Sequence, residues 1–288
     1  MSGAAGRVPA MAAPDVPVPD VPALASSANV RLVRHGDGGH VVEVVLDRAG
    51  ALNALSTAFA AELRAAWTAV GADPLVRAVV LSSSQDRAFC VGADLKERNG
   101  FTDAQLRSQR VVYRAMQAAM LDVPVPLVAA VAGYALGGGL ELALLCDLVV
   151  GDATAVVGLP EVSVGVVPGL GGTQLVSRRV GLARAADLLF TARRLTAAEA
   201  DALGLLSRLV EAGQARATAL DVAATIAGHS PVGVRNAKRA LRLGAGTDLA
   251  SGLEIEDAAW RATAFSADRA EGVAAFNEKR PPVWPGTP

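Results

Sequence analysis

The segment Val131-Ala-Gly-Tyr-Ala-Leu-Gly-Gly-Gly-Leu-Glu141 restricts this chain more than any other. It sets three consecutive glycines, Gly137 to Gly139, between an apolar run (127–132) that reads as a buried strand and a strongly helical run (140–145). Glycine adopts dihedrals that other residues avoid and lets a ligand approach the main chain closely. The first amides of a helix lack intrahelical partners and lie at the positive end of its dipole. A glycine turn that opens a helix is therefore a place for negative charge, resident or transient. Glu141 falls in the first turn of that helix. Read alone, such a carboxylate is either a dipole-stabilised surface charge or a functional acid.

The flanking sequence alternates strands and helices. Residues 41–46 (Val-Val-Glu-Val-Val-Leu) form a β-branched strand, and Ser56 caps a helix whose core face is Phe59, Leu63, Trp67 and Val70. A second strand runs to Ser83. Thr102 and Gln105 then make a capping box for a helix to about Leu121, with Leu106, Tyr113, Met116 and Met120 as its apolar stripe. Pro124 and Pro126 deliver the chain into the strand at Leu127. Short strands follow at 147–150 and 155–157, then a helix at about 174–180 closed by Gly181. Thr196 and Glu199 form another capping box, and a last strand lies within 205–210. Beyond residue 212 the pattern is helical only, with helices near 231–243, 248–263 and 267–276. The expected class is α/β.

Other features limit what the chain does. Residues 1–28, with their repeated Pro-Asp-Val-Pro, read as an extended, disordered tail, and Met11 is a candidate alternative start. That stretch has no apolar core of the kind a secretion signal needs. A net charge of −1 gives no basic stripe for nucleic acid. No run of apolar residues is long enough to span a membrane. Two cysteines, Cys90 and Cys146, suit a reducing, cytoplasmic setting rather than a disulfide framework. The glycine stretches lack the third glycine of a dinucleotide fingerprint, and there is no phosphate loop. His35, His40 and His229 are scattered without zinc spacing, so no metal is expected.

Three motifs in order then make a specific match. Ala88-Phe-Cys-Val-Gly92-Ala93-Asp94-Leu95-Lys96-Glu97, Gly133-Tyr-Ala-Leu-Gly137-Gly138-Gly-Leu-Glu141 and Pro160-Glu161-Val, followed by Gly165-Val-Val-Pro168-Gly169-Leu-Gly-Gly-Thr-Gln174, resemble the enoyl-CoA hydratase, or crotonase, family. The resemblance runs from about residue 30 to the end. It implies a crotonase-like spiral of β-β-α units (29–225) that carries the active site. It also implies a helical C-terminal oligomerisation region (226–288) that packs a homotrimer or a dimer of trimers. The ligand it implies is an acyl-CoA thioester, with no separate cofactor.

Carried over motif by motif, the backbone N–H groups of Ala93 and Gly138 would form an oxyanion hole, and Glu141 and Glu161 the acid pair. Glu141 would activate water for attack at C3 of a trans-2-enoyl thioester, and Glu161 would protonate C2, giving a 3-hydroxyacyl-CoA, as in fatty-acid or branched-acid breakdown by β-oxidation. Coenzyme A and substrate contacts would fall on Ala51, Leu52, Ala93, Asp94, Leu95, Lys96, Gly137, Pro160 and Gly169. Lys96 and Lys279 either meet phosphates or are ordinary surface charge. Where the family often has Arg-Pro-Lys before Asn-Ala-Leu, this chain has Arg48-Ala49-Gly50, which puts a phosphate contact from that loop in doubt. The alternatives left open are a Δ3,Δ2-enoyl-CoA isomerase, which generally needs one base, a methylglutaconyl-CoA-type hydratase, and a non-catalytic acyl-CoA binding protein.

Overall fold

The protein is described by a computed structural model over residues 24–36 and 38–287. Strands β1 (Val30–His35) and β2 (Val41–Leu46) pair antiparallel. Every residue of β2 is buried, which is why it reads as a continuous β-branched run rather than an alternation. Helix α1 (Thr57–Ala72) follows, capped by Ser56, whose Oγ accepts the Phe59 N–H at 3.2 Å. Its Phe59, Leu63 and Trp67 are fully buried. Truncating Leu63 to alanine in such surroundings costs about 2–5 kcal/mol.

Three turns of a spiral come next. The first is β3 (Ala78–Ser83), β4 (Ala88–Cys90), the short α2 (Leu95–Arg98) and α3 (Asp103–Leu121). The second is β5 (Leu127–Val131), β6 (Tyr134–Leu136) and α4 (Gly138–Leu145). The third is β7 (Leu148–Asp152), β8 (Val156–Gly158), α5 (Gly172–Val180) and α6 (Leu182–Thr191). In each turn the first strand joins a six-stranded sheet of order β1-β2-β3-β5-β7-β10, and the second joins a four-stranded sheet of order β4-β6-β8-β9. The spiral strands pair parallel within both sheets. The remaining elements are β9 (Arg194–Thr196), α7 (Ala197–Ala202), β10 (Arg208–Val210), α8 (Ala215–Ala227), α9 (Pro231–Gly244), α10 (Leu249–Ala264) and α11 (Ala267–Glu278).

Side chains of period two divide the core. On β3, Val79 and Leu81 face the main core shared with α1, α3 and α4. Ala78 and Val80 face the other side, where α8 lays Ala219, Val222 and Ala223 across the large sheet. The spiral of β-β-α units expected from the resemblance is therefore the fold of this chain. Both capping boxes form, at Thr102 with Gln105 and at Thr196 with Glu199.

Two expectations need adjustment. Leu106, placed in the apolar stripe of α3, is exposed, whereas the polar Gln109 is buried. Gln109 satisfies its amide by donating to Thr57 Oγ1 and Glu97 Oε2, both at 2.9 Å, and by accepting from Arg98 Nε at 2.8 Å. Residues 1–23 of the expected tail lie outside the described residues, but its last part is bound. Leu24 packs on the core, the Ser26 Oγ accepts the Leu32 N–H, and Ser27 donates to Glu62 at 2.6 Å.

Candidate active site

Two helix N-termini converge beside the small sheet. Gly137 precedes α4 with φ of 54° and ψ of −125°, a conformation that a side chain strains, and α4 then descends into the core with all eight residues buried. Gly139 permits this close approach, since a methyl group built there would lie 1.9 Å from the Cys90 carbonyl oxygen on β4. The first turn of α4 carries Glu141, which is 2% exposed. Its Oε1 accepts the N–H of Leu170 at 2.6 Å and of Gly172 at 2.7 Å. Gly172 is the first residue of α5, so the carboxylate of one helix sits at the positive end of another. Burial pushes the Glu141 carboxyl above the usual range, while the amides of Gly172, Leu170 and Gly169 and the charge of Arg110 oppose the rise.

Glu161 follows Pro160 in a short 3-10 turn after β8. Its Oε2 is buried and has no hydrogen-bond partner among the described residues. Burial, countered by its own backbone amide and reinforced by neighbouring Glu141, pushes its carboxyl up to about 7. A methyl group on Gly137 would lie 2.9 Å from Glu161 Oε1, so the missing side chain makes room for the acid. Both carboxyl groups line one cavity of about 650 Å³. Burial thus pushes both carboxyl groups upward in one place, opposed at Glu141 by the amides of three residues and at Glu161 only by its own.

Ala93 and Gly138 line the same cavity. Leu55 bridges to the chain beside Ala93: its N–H donates to the Gly92 carbonyl at 2.7 Å and its carbonyl accepts from Asp94 at 2.9 Å. In such a ladder the intervening N–H, that of Ala93, turns away from Leu55. A methyl built on Gly92 would lie 3.2 Å from the Gly138 nitrogen, which brings the two segments side by side. The Gly138 amide is the first of α4 and has no partner within its own helix.

The other expected contacts divide. Leu95, Gly137, Pro160 and Gly169 line the cavity. Ala51, Leu52, Asp94 and Lys96 are not part of its wall, and Lys279 caps α11 in the C-terminal region. Asp94 has a supporting position: it caps α2 through the amides of Lys96 and Glu97 and takes Arg48 Nη1 at 2.7 Å. Burial alone raises its carboxyl, but Arg48 and those amides hold it below the usual range. Arg48, considered only for phosphate, instead ties the Asn53 loop to Asp94 by also donating to the Ala54 carbonyl at 2.8 Å. Asn53, at φ 55° and fully buried, donates to Phe89 O and Ser83 Oγ at 2.9 Å each and accepts the Arg48 N–H.

Sequence reasoning missed the cavity's cations and its tyrosine. Arg98, Arg107, Arg110 and Arg194 line the cavity, and Tyr113 donates its hydroxyl to the Leu55 carbonyl. The i, i+3 spacing of Arg107 and Arg110, with Tyr113 three residues further on, is the signal that one face of α3 turns to the site. Cys90 and Cys146 are fully buried, and burial pushes both thiols up to about 12, so neither is a nucleophile here.

Comparison with known proteins agrees with this geometry. The model of the enoyl-CoA hydratase/isomerase family matches residues 36–287. The chain is 40% identical over 255 residues to the mouse (Mus musculus) enoyl-CoA hydratase domain-containing protein 2, mitochondrial, covering 87% of this chain and 86% of that one. It is 41% identical over 250 residues to the rat (Rattus norvegicus) mitochondrial methylglutaconyl-CoA hydratase, covering 85% and 79%. The crystal structure of enoyl-CoA hydratase from Bacillus anthracis superposes with a TM-score of 0.85 at 37% identity, over 90% of this chain and 99% of that one. With both motifs and fold in agreement, the chain belongs to the enoyl-CoA hydratase/isomerase family.

Proposed function

We propose that the protein is an enoyl-CoA hydratase that adds water reversibly across the double bond of a trans-2-enoyl-CoA. The observation that carries this reading is the pair of carboxyl groups in one cavity, with Glu141 held by two amide donors and Glu161 pushed up to about 7. Amide donors favour the charged form of Glu141 against its burial, and burial together with the neighbouring Glu141 favours the neutral form of Glu161. Water placed between them loses a proton to Glu141 as its oxygen bonds to C3. The electrons of the double bond move toward the thioester, and C2 takes the proton of Glu161. Glu141 ends protonated and Glu161 ionised, and exchange with solvent resets both. The Ala93 and Gly138 amides are the donors for the negative charge on the thioester oxygen, each worth roughly 10²–10³ in rate. Water addition transfers no electrons to a carrier, so the reading requires no cofactor.

The test is a panel of 2-enoyl-CoA thioesters of graded length and branching, followed by loss of enoyl-thioester absorbance. Conversion to 3-hydroxyacyl-CoA supports the assignment. Double-bond migration of a 3-enoyl-CoA without hydroxyacyl product points to an isomerase, and tight binding without turnover to a non-catalytic binding protein.

A second reading is favoured by Arg98, Arg107 and Arg194 in the cavity wall. Guanidinium groups pair with carboxylates in a two-pronged geometry. An acyl group that ends in a carboxylate, as in the substrate named for the rat relative, fits such a wall. A kcat/KM for 3-methylglutaconyl-CoA well above that for crotonyl-CoA, reduced selectively by Arg107→Met, supports this narrower specificity.

The reading includes self-association and a cytoplasmic site of action. Leu249, Trp260, Phe265 and Phe276 on α10, α11 and their junction are exposed by 63–84% in the single chain, a load of apolar surface that a second copy of the chain would cover. Among the described residues no helix is long and apolar enough to cross a membrane.

A further inference from the structure

Arg110, on the exposed face of α3, reaches across the cavity and donates through Nη1 to the carbonyl of Gly169. That carbonyl and the N–H of Leu170 belong to one peptide unit, and the same N–H donates to Glu141 Oε1 at 2.6 Å. Gln117, two turns further along α3, donates to the next carbonyl, that of Leu170, at 2.7 Å. Helix α3 therefore grips two successive carbonyls of the loop whose amides hold the buried carboxylate. A charged donor on a peptide oxygen polarises the whole amide and strengthens the N–H at its other end. The groups that face Glu141 around the cavity are Glu161 after β8, Arg98 on α2, Arg107, Arg110 and Tyr113 on α3, and Arg194 on β9. Of these cations, Arg110 is the one whose hydrogen bond enters the loop carrying Leu170 and Gly172.

We propose that Arg110 is a positioning residue for the catalytic base: through the Gly169–Leu170 peptide it aims and strengthens the donor that holds the Glu141 carboxylate in place. This rests on the reading of Glu141 as the base of hydration. Arg110 does not touch the reacting atoms in this account and acts through one peptide unit.

The experiment compares the full-length protein with Arg110→Met, Arg110→Lys, Glu141→Gln and, as a control on the same helix, Arg114→Met, using crotonyl-CoA as the probe. Weakening a hydrogen bond to the ionised form raises the pKa of the acid. The acidic limb of the kcat profile of Arg110→Met should therefore move upward by about half a pH unit or more. Its kcat should fall about tenfold with KM little changed. Arg110→Lys, which keeps a charged donor, should restore most of both, and Arg114→Met should match the parent. Because Arg110 is solvent-facing, thermal midpoints within a few degrees are expected for all variants. If Arg110→Met keeps the parental acidic limb while Glu141→Gln is inactive, the positioning proposal alone is overturned. A rise in KM alone overturns it too, and assigns Arg110 to substrate contact. If Glu141→Gln hydrates at the parental rate, the reading of Glu141 as base fails and the proposal falls with it.

Discussion

Glu141 of α4 and Gly172 of α5 are joined by a 2.7 Å hydrogen bond that places the carboxylate of one helix on the first amide of the next. Burial by itself favours the neutral form of this carboxyl group, which is 2% exposed, and the bond opposes that effect, as the proposed role of Glu141 as base requires. It also explains Gly172: a methyl there would come within 3.1 Å of Glu141 Oε1 and 2.7 Å of Pro168 Cβ. Glu161 lines the same cavity, its Oε2 has no hydrogen-bond partner among the described residues, and burial pushes its carboxyl up to about 7.

Replacing Glu141 or Glu161 by glutamine should lower kcat for crotonyl-CoA hydration by about 10²–10⁴, the usual contribution of a positioned acid or base. Circular dichroism should stay unchanged, because glutamine retains the shape. Near-parental rates in either variant would sink the pairing.

In the proposed mechanism Glu161 must carry a proton, and because its carboxyl is pushed up to about 7, kcat should decline as pH rises through about 7. The sign for stability follows from proton uptake. Between the ordinary value of 4.5 and about 7 the folded state holds a proton that the unfolded state has lost, so this residue makes folding less favourable as pH rises across that window. Glu161→Gln removes the dependence. Its thermal midpoint relative to the parent should rise between pH 4.5 and pH 7.5 while activity is lost; an equal difference at both ends would show that Glu161 titrates normally.

Gly137→Ala combines an unfavourable backbone conformation, φ 54° and ψ −125°, with a methyl 2.9 Å from Glu161 Oε1. The backbone strain alone is worth about 1–3 kcal/mol. Urea denaturation should report that loss, and hydration should fall because Glu161 is pushed from its place. A variant as stable and active as the parent would show that the turn relaxes freely.

Phe265 is 81% exposed and Leu249 78% exposed on the C-terminal helices. If copies of the chain cover them, the paired substitution Leu249→Glu, Phe265→Glu should reduce the mass measured by analytical ultracentrifugation to that of smaller species. An unchanged sedimentation profile, or a parent that is monomeric at every concentration, would show that this surface does not join copies of the chain.

Much of the chain could be read directly from local chemistry. Ser56, Thr102 and Thr196 announce three helix starts because capping is a contact of a residue with amides two or three positions away. The β-branched run 41–46 and the glycines before Glu141 likewise carry their structure within a few residues. The three-residue strands β4, β6 and β9 were not legible, because such short pieces have no period and are strands only by pairing with one another. The helix α6, flanked by Gly181, was missed because no side chain caps its start. Glu141 and Glu161 were found through their motifs, twenty residues apart, but the sequence said nothing of the space between them. Folding decided that both carboxyls share one cavity, that Leu170 and Gly172 supply donors to only one of them, and that Arg110 reaches Gly169 from 59 residues away. Protonation depends on burial and on partners brought by distant segments, and those are properties of the assembled spiral rather than of any local stretch.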